Sequence, residues 1–238
     1  MRSINDLIWH IVHNLNGNLQ YLRKAANFTF VPQMKHMTIA IYANELQQQV
    51  LTQKFTERYT VQFCNSFAAL ATCEASVYID LYFDEHLQRL DKPHAWVLAQ
   101  ALTVTNEQLP TNYIRINGWY GLLQQPALQV CIHLAVNADA QALINNLGWK
   151  PLVCPDIVGL ISARSIAMII NEAYFALAEN VATKADIDIA MQLGTNYPFG
   201  PFDWSEKIGL QQIHQLLLAL AATDDRYAPA PALIQALS

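Results

Sequence analysis

The sequence predicts an α/β region followed by an all-α region, and three observations support this. Residues 38–134 alternate short apolar runs with polar stretches. Residues 159–180 contain no proline or interior glycine and carry apolar side chains on nearly every side, as in a helix buried by other helices or by a partner. The whole chain of 238 residues is 53% hydrophobic and only 14% charged, which indicates an extensive buried interface.

Six apolar runs in the first part of the chain are predicted to be β-strands. Several of the intervening segments are polar, Gln-rich or acidic and are predicted to be helices, so the strand-helix-strand order favours a mostly parallel sheet with right-handed crossovers. The spacers are short, especially between residues 61 and 77, so we expect a trimmed Rossmann-like fold. The predicted strands are 38–42, 61–63, 76–79, 96–99, 113–116 and 128–132.

The rest of the chain is predicted to be helical. A first helix over 159–180 precedes Thr183-x-x-Asp186, a spacing typical of a capping box that opens a second helix. Gly194 lies where a glycine would end that helix. We therefore expect a sheet domain over 37–154 and a helical domain over 155–238.

Residues 1–36 fit neither region. Apolar residues recur there at helical spacing, but the central apolar run is too short and polar for a signal peptide. Met37 directly precedes the first predicted strand. One hypothesis is that Met37 is the natural start and that 1–36 is an extension without a role in the fold.

Composition excludes several classes of function. The net charge of -5 gives no electrostatic footprint for nucleic acid, and no apolar run approaches the ~20 residues that a membrane span needs. The four cysteines form no Cys-x-x-Cys pair and accompany no secretory signal. This pattern predicts free thiols in a reducing compartment, and thus a cytoplasmic protein.

A set of motif residues in the second half carries a family resemblance. These residues are Asp156, Gly159, Leu160, Ile161, Arg164, Asn171-Glu172-Ala173, Asp186-Ile187-Asp188, Gly194-Thr195-Asn196, Gly200-Pro201 and Ile208-Gly209-Leu210. With them the chain resembles the C-terminal domain of the 3-hydroxyacyl-CoA dehydrogenases, in which an Asp-x-x-Gly-Phe-Ile-x-Asn-Arg turn leads into a helix bearing Asn-Glu-Ala. The resemblance is strong over 156–237 and fold-level over 38–134. It implies a homodimer through the helical domain and a place in fatty acid metabolism.

The cofactor positions implied by the resemblance depart from the family. A dinucleotide loop needs GxGxxG so that the chain can turn tightly and approach the pyrophosphate, but Tyr42, Asn44 and Gln47 occupy the three glycine positions. The second strand ends in Cys64 and Asn65 instead of the acid that holds the ribose; Asn65 could bond a ribose or simply form a turn. These departures predict that the chain binds no cofactor. If the family's activity is retained, the expected cofactor is NAD.

The catalytic positions implied by the resemblance also depart. Asn117 stands where the family has its proton-accepting His, Gln129 where it has the Glu that orients that His, and Ala163 where it has Asn. None of the three can take a proton near neutral pH. His133 would share a face with Gln129 in a regular strand, so it is either a relocated base or a half-buried strand-end residue.

Two further groups have alternative interpretations. Thr103 is the nearest hydroxyl to the family's Ser-Asn pair, although a capping or loop role is the alternative. Asp80, Asp84 and Glu85 follow the third strand and either converge on a metal or form a solvated strand end, and we predict no metal. We predict a catalytically degenerate relative that binds an acyl-CoA or a partner protein. The alternative is an active NAD(P)-dependent 3-hydroxyacyl-CoA (3-hydroxybutyryl-CoA) dehydrogenase with relocated residues.

Overall fold

A computed structural model describes residues 37–55 and 57–237, so the predicted extension over 1–36 lies outside the described residues. The described chain forms a sheet region, residues 37–153, and a helical region, residues 154–237. The seven strands are β1 (Thr38–Tyr42), β2 (Thr60–Cys64), β3 (Val77–Asp80), β4 (Trp96–Ala99), β5 (Tyr113–Ile116), β6 (Ala127–Ile132) and β7 (Lys150–Val153).

The strands form one twisted sheet in the order β2-β1-β3-β4-β5-β6-β7. Strands β1 to β5 are mutually parallel, β6 runs antiparallel to β5, and β7 is parallel to β6. The prediction of a mostly parallel, Rossmann-like sheet is therefore confirmed. Strand β7 was not among the six strands predicted from the sequence.

Helices cover both faces of the sheet. The helices of this region are α1 (Glu45–Phe55), α2 (Phe67–Thr72), α3 (Phe83–His86) and α4 (Asn137–Asn146). Alternation along β1 places Ile39 and Ile41 in the core that includes Leu51 of α1, whereas Ala40 lies in the core that includes Leu70 of α2. Because both faces are buried, the central strands consist of continuous apolar runs.

The helical region contains α5 (Ser162–Ala178), α6 (Lys184–Thr195), α7 (Pro201–Ile208), α8 (Leu210–Ala221) and α9 (Pro231–Gln235). Helix α5 packs against α7, α8 and α9, which explains its apolar character within the chain itself. Within the described chain, no helix is both long enough and apolar enough to cross a bilayer.

One helix boundary was predicted correctly and one wrongly. The Thr183 side chain accepts a hydrogen bond from the Asp186 backbone N–H, so the predicted cap opens α6. Gly194 does not end α6, because it lies inside the helix. The left-handed residue at the end is Asn196, with φ 58°; Asn tolerates this conformation better than most residues.

Candidate functional site at the carboxyl edge of the sheet

Three neutral side chains meet where β5, β6 and α5 converge. The Asn117 amide donates to Ser162 Oγ at 2.9 Å, and Ser162 Oγ donates to Gln129 Oε1 at 3.0 Å. Gln129 Oε1 also accepts the Ser162 backbone N–H at 3.0 Å. The first turn of α5 is thus tied to the end of β5 and to the middle of β6.

The structure brings two of the three family-equivalent catalytic positions together. Asn117 and Gln129 are joined through Ser162, and all three side chains are buried. Ala163 follows Ser162 but lies in the apolar core of the helical region, so it takes no part in the polar cluster. Asparagine, glutamine and serine keep the same charge at every physiological pH, so this cluster holds geometry but offers no proton acceptor near neutrality.

The loop after β1 is closed by side chains. Asn44 Oδ1 accepts the Gln47 backbone N–H at 2.9 Å, and Gln47 Oε1 accepts the Asn44 N–H at 3.1 Å. This reciprocal pair caps the start of α1. Gln47 Nε2 also donates to the Gly118 carbonyl at 2.9 Å. Asn44 and Gln47, two of the three residues that the resemblance aligns with the family's glycines, therefore form hydrogen bonds within the chain.

Aromatic side chains occupy the switch point between β1 and β3, where a doubly wound sheet receives its nucleotide. The centroid of the Tyr42 ring lies 4.5 Å from that of Tyr82. The Tyr42 ring also stacks on His86, with 6.3 Å between the ring centroids. The same His86 ring is 4.5 Å from Phe67. The Gly118 backbone comes so close to Leu81 that a Cβ there would lie 2.7 Å from Leu81 Cδ2. The switch point is therefore lined by aromatic rings, and positions 42, 44 and 47 hold no glycine.

The acid that ends β3, Asp80, and the two acids that follow it, Asp84 and Glu85, bond different groups. Asp80 pairs with His86 Nε2 at 3.1 Å, and Glu85 accepts from Gln212 of α8. Asp84 is buried and accepts from the Leu102 and Thr103 backbone N–H groups and the Thr103 hydroxyl.

The bonds of Asp84 organise the loop after β4. Burial raises the pKa of the Asp84 carboxyl to about 6, outweighing the hydrogen bonds from Thr103 and Leu102. The Thr103 hydroxyl is thus held by Asp84 within the loop. Within residues 37–55 and 57–237, no three His, Cys, Asp or Glu side chains are grouped to hold a metal ion.

His133 lies far from the amide cluster. Strand β6 runs antiparallel to β5, with Ile132 opposite Ile114 and Val130 opposite Ile116. His133 follows β6 and therefore lies near the start of β5, whereas Asn117 lies at its end. A rise of ~3.4 Å per residue separates His133 from Gln129 by about 14 Å. His133 and Gln129 can share a face of β6, as predicted, but the structure does not bring His133 to the amide cluster.

Asp156, the first residue of the helical motif, connects the two regions. Its carboxylate accepts from Arg115 Nη1 at 2.6 Å, and Arg115 of β5 is fully buried. The same guanidinium donates to the Ala101 and Ile157 carbonyls. This ion pair fixes the turn that leads into α5, where Gly159 adopts φ +79°.

A second motif pair organises the other helices. Asp188 of α6 accepts the backbone N–H groups of Phe202 and Asp203 at 2.8 and 3.0 Å, which satisfies the first turn of α7. Gly200 allows this contact, since a Cβ there would lie 2.3 Å from Asp188 Cβ. Asn171 similarly accepts the Ala230 N–H and donates to the Ala228 carbonyl.

Comparison with known proteins agrees with the resemblance of the helical region. Residues 159–238 match the family model described as 3-hydroxyacyl-CoA dehydrogenase, C-terminal domain. A 3-hydroxyadipyl-CoA dehydrogenase of Escherichia coli K12 is 41% identical over 108 residues, covering 42% of this chain and 23% of that protein. A probable 3-hydroxybutyryl-CoA dehydrogenase of Deinococcus radiodurans is 38% identical over 89 residues, covering 37% of this chain and 32% of that protein. The matched stretch thus spans less than a third of each of these two relatives.

Solved structures show the same fold over most of the chain. The (S)-3-hydroxybutyryl-CoA dehydrogenase of Ralstonia eutropha superposes with a TM-score of 0.58 at 18% identity, covering 84% of this chain and 93% of that one. FadB2 of M. tuberculosis gives a TM-score of 0.62 at 13% identity with the same coverage. The chain therefore resembles the 3-hydroxyacyl-CoA dehydrogenases in its Rossmann-like sheet with a helical C-terminal region.

Proposed function

We propose that this chain is a 3-hydroxyacyl-CoA dehydrogenase family member that does not transfer hydride and acts instead as a dimeric binding protein. The observation that carries the proposal is the neutral cluster of Asn117, Ser162 and Gln129. It occupies the positions at which the resemblance places the acid-base pair. A dehydrogenase must remove a hydroxyl proton as hydride leaves, and these side chains have no basic group for that step.

We also propose that NAD is not bound conventionally, and the side chains at the carboxyl edge of the sheet support this. A pyrophosphate would need open backbone N–H groups after β1. Here the Asn44 side chain accepts the Gln47 N–H, and Tyr42 packs on Tyr82. Opening the site would require breaking the cap and moving the rings.

The relatives named as dehydrogenases favour the alternative, an active NAD(P)-dependent 3-hydroxyacyl-CoA dehydrogenase with relocated residues. A turnover assay separates the two. With acetoacetyl-CoA and NADH at pH 7, we expect no consumption of NADH above the no-enzyme rate. A double variant, Asn117→His with Gln129→Glu, is expected to stay inactive, because it supplies a base but leaves the nucleotide position filled. Wild-type turnover near ~10 s⁻¹ would contradict the proposal.

An acyl-CoA is the ligand class that the family resemblance suggests for a non-catalytic relative. A thermal-shift series with acetoacetyl-CoA, free CoA and NAD tests it on the intact chain. We expect an increase in melting temperature with acetoacetyl-CoA and none with NAD. Stabilisation by NAD alone would instead support the dehydrogenase alternative.

The dimer is proposed to form through α6. The apolar helix α5, which suggested an interface in the sequence, is covered by α7, α8 and α9 of the same chain. Helix α6 differs, because within the described chain it has no buried residue. Ile189 and Leu193, one turn apart, are 54% and 83% exposed. Such an apolar stripe is typical of an interaction surface.

Sedimentation velocity at micromolar concentration tests this surface. The wild type is expected to be a dimer, and Leu193→Asp is expected to be a monomer with an unchanged circular dichroism spectrum. Leu134→Asp is the matched control, because Leu134 is 80% exposed in the sheet region, and it should remain dimeric. A monomeric wild type or a dimeric Leu193→Asp variant would contradict an interface at α6.

A further inference from the structure

Two cysteines meet at the end of β2, away from the amide cluster. Cys64 ends β2, and Cys73 follows α2 as its C-terminal cap. Their sulfur atoms lie 3.3 Å apart in a thiol–thiol hydrogen bond. Both line one open-sided cavity of about 360 Å³, together with Gln62, Phe63, Asn65, Ala69 and Thr72.

The spacing of the two sulfurs favours one chemistry. A tetrahedral metal with bonds of about 2.3 Å would hold two sulfurs about 3.7 Å apart and would need further ligands. Among the described residues, no group of three metal-binding side chains supplies these. A disulfide needs a separation of about 2.05 Å, which the side chains reach by moving about 1 Å towards each other.

The two thiols are not equivalent. Burial, followed by the hydrogen bond with Cys73, raises the pKa of the Cys64 thiol to about 12. Cys64 therefore keeps its proton, and Cys73, which is 8% exposed against 5% for Cys64, is the sulfur that a reagent reaches first. The thiolate is the form that attacks a disulfide. The cavity gives a small reagent access to this sulfur.

We propose that Cys64 and Cys73 form a reversible dithiol–disulfide site that reacts with a small-molecule disulfide such as glutathione disulfide. The Cys73 thiolate attacks one sulfur of the reagent, breaking its S–S bond and releasing one thiolate. That thiolate is protonated by water. The Cys64 sulfur then attacks the Cys73 sulfur of the mixed disulfide, and its proton passes to the second reagent thiolate as that thiolate leaves. The two protein thiols are oxidised, and the reagent is reduced to two thiols.

The product links the end of β2 to the end of α2 across the wall of the cavity. In a compartment that keeps thiols reduced, such a bond is transient and responds to the redox state. This inference is independent of the proposed function, because none of its residues belongs to the amide cluster.

Peptide mapping of the intact chain tests the site. Cleavage after Arg and Lys leaves Cys64 and Cys73 on one peptide, 59–89. Cys131 and Cys154 lie on another, 116–164, because Pro151 protects the bond after Lys150. The folded protein is incubated with glutathione disulfide, denatured, and alkylated with N-ethylmaleimide. We expect peptide 59–89 to lose two hydrogen atoms and take up no reagent, and peptide 116–164 to take up two N-ethylmaleimide groups.

Two variants sharpen the result. Cys64→Ser removes the resolving thiol, so a stable glutathione adduct on Cys73 is expected; Cys131→Ser should leave the disulfide in 59–89 unchanged. The proposal is overturned if wild-type peptide 59–89 takes up two N-ethylmaleimide groups or retains a glutathione adduct. It is also overturned if the Cys64→Ser variant forms no adduct.

Discussion

The motif residues of the helical region and the family-equivalent positions of the sheet edge differ in what their side chains bind. In the helical region Asp156 pairs with a buried Arg115, and Asp188 caps α7. At the sheet edge Asn117 and Gln129 bond only neutral groups. The charged motif residues of the helical region thus satisfy buried polar groups of the fold, whereas Asn117 and Gln129 stand at the positions where the resemblance places the family's acid-base pair.

Under the proposed function, this difference separates residues that hold the fold from residues that would carry a reaction. Replacing a residue that neutralises a buried charge destabilises the folded state. An amide in place of a proton acceptor removes the basic group that proton transfer needs. The following predictions test this division, beginning with the largest expected effect.

Removing the acid that pairs with the buried guanidinium should have the largest effect. Asp156→Ala leaves Arg115 without its carboxylate, and we expect the free energy of unfolding to fall by about 3 kcal/mol. Chemical denaturation measures the change. Glu74→Ala is the control, because Glu74 is 92% exposed in its pair with Lys92 and should cost at most about 1 kcal/mol. Equal losses in the two variants would show that Asp156 is only a surface charge.

Two glycines of the helical motif, Gly200 and Gly194, differ in the space around them and can be compared directly. Gly200→Ala places a Cβ against Asp188 and should lower the unfolding free energy by about 2 kcal/mol, since the neighbouring side chain must shift. Gly194 lies inside α6, and within the described chain a Cβ there would meet no heavy atom within 4 Å beyond the adjacent residues and the local backbone of its own helix. Gly194→Ala should therefore stabilise by about 0.5 to 1 kcal/mol. Thermal unfolding that shows the same sign for both variants would contradict the close contact at Gly200.

The smallest expected effect concerns pH at the sheet edge. The pKa of Asp84 is about 6 in the folded chain against an ordinary 3.8, so the folded state binds the extra proton. Its stabilising contribution is complete below the unfolded pKa and is lost as pH rises through about 6. Between pH 7 and pH 5 the wild type should gain about 1 kcal/mol more than Asp84→Asn. If the unfolding free energies of the two proteins changed by the same amount between pH 7 and pH 5, Asp84 would stay ionised over that range.

The sequence predicted the central strands of the sheet better than the edge strand β7 or the end of helix α6. The apolar residues of β1 and β3 are buried on both faces of the sheet, so burial and pattern agree. Strand β7 was missed because it begins Lys150-Pro151 and is only partly buried, unlike the equally short strands β3, β4 and β5. Gly194 was expected to end α6, but the left-handed position falls two residues later at Asn196. Local composition predicted neither the strand at β7 nor the residue at which α6 ends.

The candidate site was only partly predictable. Asn117 and Gln129 were found through the family resemblance, and they do lie together. Ser162 was missed, because it occupies a variable position of the motif and only the fold brings its hydroxyl between the two amides. His133 was weighed as a base from strand alternation, which specifies a face but neither the distance along β6 nor its antiparallel direction.

Calorimetric titration of the intact chain with NADH tests the central claim most directly. The account predicts no saturable heat of binding up to millimolar NADH, because the Asn44–Gln47 cap and the Tyr42 ring occupy the nucleotide position. The same titration on the Gln47→Gly variant is expected to show no binding either, since the Tyr42 ring remains. A dissociation constant in the micromolar range for the wild type would contradict the account.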